Sequence, residues 1–235
     1  RDYYASRGLG DVYKRQTYDM VNNELIITDS RLLSKDEVMA IGVDNFAPLS
    51  EVPMPRAATI TRGRLTITFS GVYNTSNGVS CNLTGTAHWD DSGLHTEGEN
   101  YCATGEDFIG VTWSGSFTAK SHSISGKNQL GGALTIYNSD STPNAGRVWS
   151  FKDSNPTSKY TLYAKDINLN VNISKNTLTG NGNTAEAVLK YIHTYSKVKG
   201  SISITPGSET VAGSFSLSNT DRQWSLVCTV TNIPY

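Results

Sequence analysis

Charge is scarce in this sequence: Asp, Glu, Lys and Arg supply 17% of its residues, against about 25% in an average soluble domain. The charges nearly cancel to a net of -1 and form no basic run, so the electrostatic footprint of a nucleic-acid binder is missing. Long apolar runs are missing too. No stretch approaches the roughly 18 residues of a membrane helix, and no signal-peptide pattern is visible. The spacings that announce common chemistries are absent as well: no G-x-S-x-G elbow, phosphate loop, H-E-x-x-H helix or C-x-x-C pair occurs. Nothing in the sequence calls for a cofactor, and no reaction or ligand is identified by a motif.

Cysteine is limited to three residues, Cys81, Cys102 and Cys228. With Asp90-Asp91-Ser92-Gly93 as a turn, Trp89 falls opposite Leu94, His88 opposite His95 and Cys81 opposite Cys102. The cysteines then occupy a non-hydrogen-bonded pair, where cross-strand side chains come closest. This register predicts a Cys81–Cys102 disulfide and an oxidising compartment. Cys228 is left over, as a buried free thiol or as the partner of a cysteine upstream of this sequence. The same register puts Cys81, Leu83, Gly85, Ala87 and Trp89 on a core face. It puts Asn82, Thr84, Thr86, His88, Glu97, Glu99 and Tyr101 on the opposite one.

What is abundant is Ser, Thr, Asn and Gly, in short alternating runs separated by turn residues. A chain of 235 residues can bury a large single core. Residues 59–235 read as one antiparallel β domain, a two-layer sandwich or a wide barrel built from sequential hairpins. Residues 17–58 read as an N-terminal arm, with a short strand at Glu24–Thr28, a short helix after the capping-box spacing Ser34 to Glu37, and a proline-broken linker over 45–57. Asp11-Val12-Tyr13-Lys14-Arg15-Gln16 resembles the translation of the mosaic-end adapter used in transposase-based sequencing libraries. That resemblance covers six residues and implies that 1–16 is non-native, with any signal or anchor lost upstream.

Within the β domain, Leu65, Ile67, Phe69 and Gly71 must face the odd residues of the cysteine strand, which requires an odd-length loop. A five-residue loop, 74–78, then places Gly71 opposite Cys81 and Phe69 opposite Leu83. The next strand carries Ile109, Val111, Trp113 and Phe117 on one face, completing a meander over 63–120. The run Tyr160–Ser174 changes phase midway, which predicts a β-bulge near Lys165-Asp166. Residues 184–197 read as the one helix of this domain, since Ala185, Val188, Leu189 and Ile192 form a stripe and Glu186 and Lys190 have i,i+4 spacing, with a strand as the alternative because Val188, Tyr191, Ile192, Thr194 and Tyr195 also favour strands. At the C-terminus, turns at Pro206-Gly207 and 219–222 fold Ile202/Ile204, Val211–Leu217 and Trp224–Val230 into consecutive hairpins.

Candidate chemistry is thin. His88, His95 and Glu97 are cross-strand or diagonal neighbours that could share a divalent ion, with a solvated polar face as the plainer reading. Trp89, Trp113, Trp149 and Trp224 share strand parity with apolar neighbours and read as core. Tyr101, Tyr191 and Tyr195 are the aromatic candidates for surface contacts. His122 and His193 have no visible partner. Carboxylates on or beside strands, among them Glu97, Glu99, Glu106, Asp107 and Asp153, leave glycoside hydrolysis open. The expectation is a non-enzymatic, extracytoplasmic bacterial β domain, secreted or in the envelope, that binds a protein, glycan or small ligand. The alternatives are a carbohydrate-active or other hydrolytic enzyme, and a virion or appendage component.

Overall fold

A computed structural model describes residues 2–7, 12–21, 24–33, 47–48, 56–74, 80–90, 97–176, 184–195, 200–218 and 222–234. The chain divides into two compact units, residues 1–54 with 75–78, and residues 55–74 with 79–235. The first holds a four-stranded sheet of order β3-β2-β1-β4, made from β1 (Asp2–Arg7), β2 (Val12–Val21), β3 (Glu24–Leu33) and β4 (Ala47–Pro48). The strand expected at Glu24–Thr28 lies within β3, and the short helix expected after Ser34 falls outside the described residues.

The second unit is an antiparallel β-sandwich. Its strands are β5 (Arg56–Arg62), β6 (Leu65–Asn74), β7 (Ser80–Trp89), β8 (Asp107–Trp113), β9 (Phe117–Asn128), β10 (Ile136–Thr142), β11 (Gly146–Phe151), β12 (Ser154–Pro156), β13 (Thr161–Lys175), β14 (Thr184–Thr194), β15 (Ile202–Thr205), β16 (Ser214–Leu217) and β17 (Gln223–Pro234). One sheet runs β10-β11-β8-β14-β17. The other runs β12-β13-β7-β6-β5, with β9 also paired to β13.

Local alternation explains which residues line the core. Leu65, Ile67 and Phe69 on β6, Cys81, Leu83, Ala87 and Trp89 on β7, and Ile167, Leu169, Val171 and Ile173 on β13 face one way. They meet Ile109, Val111 and Trp113 on β8, Ala187, Leu189 and Tyr191 on β14, and Leu226, Cys228 and Val230 on β17. Gly85 shows how tightly the layers meet: a Cβ there would lie 3.0 Å from Leu189 Cδ1 of the facing sheet and 3.1 Å from Leu169. A glycine in mid-strand is here a socket for a leucine. All four tryptophans are buried. The indole N–H groups of Trp89, Trp113 and Trp224 donate to Tyr191 Oη, Phe117 O and Glu99 O at 3.2, 3.2 and 2.7 Å.

The five-stranded sheet is covered on its outer face as well. The β15–β16 hairpin lays Phe215 and Leu217 on Phe108, Val148 and Ile192, with Ile202 and Ile204 alongside. Every residue of β8 is therefore buried. Thr112 donates to Gly213 O at 2.7 Å and Lys190 Nζ to Phe215 O at 2.7 Å, fastening the hairpin to the sheet.

Several sequence expectations are corrected. Residues 184–194 form β14, not a helix; it sits between β8 and β17 and alternates Ala185, Ala187, Leu189, Tyr191 and His193 into the core. Backbone ladders on both sides outweigh a local helical preference of a few tenths of a kcal/mol per residue. The Cys81–Cys102 hairpin does not form either. β7 pairs with β6 on one side and β13 on the other, and 97–101 are turns and bends. No disulfide joins the three cysteines, and all three are buried. Cys81 is registered with Ile173, whereas Cys102 Sγ lies 3.5 Å from Ala164 O. Those two contacts are separated along β13 by roughly 30 Å at about 3.3 Å per residue, far beyond disulfide reach.

The β6–β7 faces are as expected, but the register is displaced by two residues, with Tyr73 opposite Cys81 and Phe69 opposite Gly85. The meander ends at β7, because β8 crosses to the other sheet. At the C-terminus β15 and β16 pair with each other, but β17 pairs with β14 rather than with the strand before it. The bulge expected near Lys165-Asp166 is present: the β13–β9 register shifts between Ala164 and Asp166.

Candidate functional site

Two features of the sandwich concentrate polar chemistry, one outside and one inside. The outer face of the six-stranded sheet comes from the residues that alternate with the core set on β5, β6, β7, β13 and β9. Registration lines them up in rows. The central rows are Thr59-Thr68-Thr86-Asn168-Ser125, Ala57-Ser70-Thr84-Asn170-Ser123 and Val72-Asn82-Asn172-Ser121. Charge enters only in the row at one end, Thr61-Thr66-His88-Asp166-Lys127. Neighbours bond across strands, Thr59 to Thr68 at 3.1 Å, Thr61 to Thr66 at 2.8 Å and Asn170 Nδ2 to Thr84 at 3.2 Å. At strand spacings of about 4.8 Å and row spacings of about 6.8 Å, this face measures about 19 by 20 Å. It offers hydroxyl and amide groups almost exclusively.

The inner feature is a cluster of three ionisable side chains with no solvent exposure, Asp107, Asp153 and His193. Asp107 opens β8 in phase with Ile109, Val111 and Trp113, His193 continues the core phase of β14, and Asp153 lies in the bend between β11 and β12. His193 Nδ1 is 3.0 Å from Asp107 Oδ2 and 3.4 Å from Asp153 Oδ2. Asp107 also accepts from the Tyr191 hydroxyl at 2.6 Å and from Thr194 N at 2.8 Å, and Asp153 Oδ2 accepts from Ala103 N at 3.1 Å. The imidazole sits among aromatic rings, with centroids 5.1 Å from Trp89, 5.0 Å from Trp224 and 6.0 Å from Tyr195, the last nearly parallel. Two polar atoms in the cluster, Asp153 Oδ1 and His193 Nε2, have no partner among the described residues.

The electrostatics follow from burial and mutual charge. Burial alone pulls the imidazole down, but the Asp107 charge, the hydrogen bonds to both carboxylates and the Asp153 charge outweigh it and hold His193 at about 10. Burial, reinforced by the Asp107 charge, pushes Asp153 well above the usual carboxylate range. Burial and the neighbouring carboxylates likewise push the Tyr191 phenol well up. Cys81 is pushed up to about 12 by burial, and burial raises Cys228 as well, so neither thiol ionises readily at neutral pH.

The described residues among those expected from sequence have separate partners. His88 lies on the outer face, with Nδ1 2.6 Å from Asp166 and Nε2 3.1 Å from Asp90. Glu97 accepts from Thr104 at 2.5 Å and from Ser154, and His95 falls outside the described residues. Tyr101 and Tyr195 are half-buried. Tyr191 is corrected from a surface contact to one of the largest fully buried side chains, because the strand parity of β14 turns it inward. A signal for the inner cluster existed in the sequence: Asp107 shares parity with a core face. His193 shares parity with Leu189 and Tyr191, but a helical reading of 184–197 conceals that phase. The chain matches no protein-family model and no curated protein.

Proposed function

We propose that this chain is a non-enzymatic, extracytoplasmic recognition domain whose outer sheet face binds a neutral, polyhydroxylated partner of the glycan class. The observation that carries this reading is the set of registered Thr, Ser and Asn rows, with charge confined to one end. Such a face exchanges hydrogen bonds with sugar hydroxyls at little desolvation cost, and it has no field to attract a polyanion. No aromatic residue lies on those rows to stack against a sugar ring. Contacts at single residues would therefore be weak, and affinity would come from many of them along a polymer.

The compartment rests on composition alone. Without a disulfide between Cys81 and Cys102, cysteine usage no longer argues for an oxidising environment, and what supports an extracytoplasmic location is the low-charge Ser/Thr/Asn composition. The hydrolase reading has less support. The carboxylate pair Asp107 and Asp153 is sealed, and its neighbours are hydrogen-bonding and aromatic side chains rather than a cleft.

Affinity electrophoresis tests the proposal, using gels containing neutral polysaccharides (a β-glucan, a xylan, a mannan) beside heparin and pectin as charged controls. At least one neutral polymer should retard the protein. Thr86→Arg, at the centre of the face, should abolish the retardation without lowering the melting temperature. Absence of retardation by every neutral polymer, or retardation indifferent to Thr86→Arg, would overturn the reading.

A further inference from the structure

We propose that Asp107, Asp153 and His193 hold one divalent cation of the zinc class inside the sandwich. The donor atoms already converge: Nδ1 of His193 and one oxygen from each carboxylate all lie within 4.8 Å of one another. A tetrahedral ion with bonds of about 2.0–2.1 Å requires donors about 3.3–3.4 Å apart. The two separations from Nδ1 are 3.0 and 3.4 Å, close to that spacing.

A second observation points the same way. Asp153 Oδ1 is fully buried and has no partner among the described residues. A buried carboxylate oxygen left without a donor is costly. A cation between the three side chains supplies it, with Asp153 binding through both oxygens to fill the fourth position.

A divalent ion matches the charge of the ionised ligands. Two carboxylates, a neutral imidazole and a divalent ion sum to zero in a dry interior. On binding, His193 releases its Nδ1 proton and Asp153 its carboxyl proton to solvent, so that the nitrogen lone pair and both carboxylates face the ion. The donor set selects the metal. One imidazole nitrogen with carboxylate oxygens in a closed, low-coordinate site suits zinc, whereas calcium and magnesium require six or more oxygens or retained water. The remaining contacts of the ligands, Tyr191 and Thr194 on Asp107 and Ala103 on Asp153, would fix the carboxylate orientations as outer partners do in metal sites.

Because the site is sealed, loading is tested through folding. The full chain is unfolded in denaturant with chelator and refolded either with EDTA or with zinc chloride. After desalting, bound metal is counted by atomic emission, and melting temperature and tryptophan fluorescence are recorded. The wild type refolded with zinc should retain about one ion per chain, melt at a higher temperature than the EDTA sample, and show altered emission from Trp89 and Trp224, which flank His193. Asp153→Asn should lower zinc affinity by at least roughly tenfold while keeping its β-sheet circular dichroism. His193→Gln is the alternative variant if Asp153→Asn fails to fold. The proposal is overturned if the wild type retains no stoichiometric zinc, or if a folded ligand variant retains zinc as well as the wild type. The second outcome would place the ion elsewhere, on the thiols for example.

Discussion

The Tyr191 hydroxyl donates to Asp107 Oδ2 at 2.6 Å and accepts from Trp89 Nε1 at 3.2 Å, linking β7 of one sheet to β14 and β8 of the other. This polar bridge crosses an interior made largely of apolar side chains. It has the energetics of a buried network: satisfied, it holds the two layers in one arrangement, and broken at one member, it leaves charged or polar partners stranded.

Removing the bridging hydroxyl should therefore cost more than a surface change. Tyr191→Phe leaves the ring in place but strips a donor from Asp107 and an acceptor from Trp89, for an expected loss of about 1–3 kcal/mol. Urea unfolding measures it, with Val227→Ala at an exposed position of β17 as the near-neutral comparison. Equal stabilities for Tyr191→Phe and wild type would show that the bridge contributes nothing.

Stability of the metal-free protein should fall as pH rises from neutrality. His193 is held at about 10 in the folded state against 6.5 for a free imidazole. Its contribution is fully present below about 6.5 and is lost as pH climbs through about 10. Asp153 is raised in the same direction and adds loss on the alkaline side of the ordinary carboxylate range. Melting temperatures measured in EDTA between pH 6 and 10 should decline more steeply for wild type than for His193→Gln. Parallel curves would show that His193 is not the group responsible.

The three thiols should be silent in the native state. Cys81, Cys102 and Cys228 are buried, and Cys81 and Cys228 are also shifted up by burial. Iodoacetamide at pH 8 should label none of them without denaturant, and all three in denaturant without reductant. A cysteine pair that labels only after reduction would show a disulfide instead.

Gly85 should tolerate no side chain without loss. Alanine there would press on Leu189 and Leu169 and cost about 1–3 kcal/mol by overpacking. Valine would cost more. Gly98→Ala, where an added Cβ meets nothing within 4 Å, is the matched control. Equilibrium unfolding that leaves Gly85→Ala as stable as Gly98→Ala would mean that the sheets are free to part at this point.

The sequence by itself determined which side of each strand is wet and which is dry. Alternation marks Leu65, Ile67 and Phe69, then Leu83, Ala87 and Trp89, then Ile109, Val111 and Trp113 as inward, and the structure buries them all. The phase change in Tyr160–Ser174 located the bulge for the same reason, since a bulge alters the side-chain period of the strand that contains it. Partnership was decided by the tertiary structure. Face is a property of one strand, whereas pairing depends on two, and β7, paired to β6 on one side, finds β13 from across the chain on the other. That long-range choice separated Cys81 from Cys102. A choice of the same kind placed β14 between β8 and β17, turned an apparent helix into a strand, and carried His193 to Asp107 and Asp153. The outer rows of Thr, Ser and Asn were present in the sequence as polar alternation, but only the register of the five strands set them side by side.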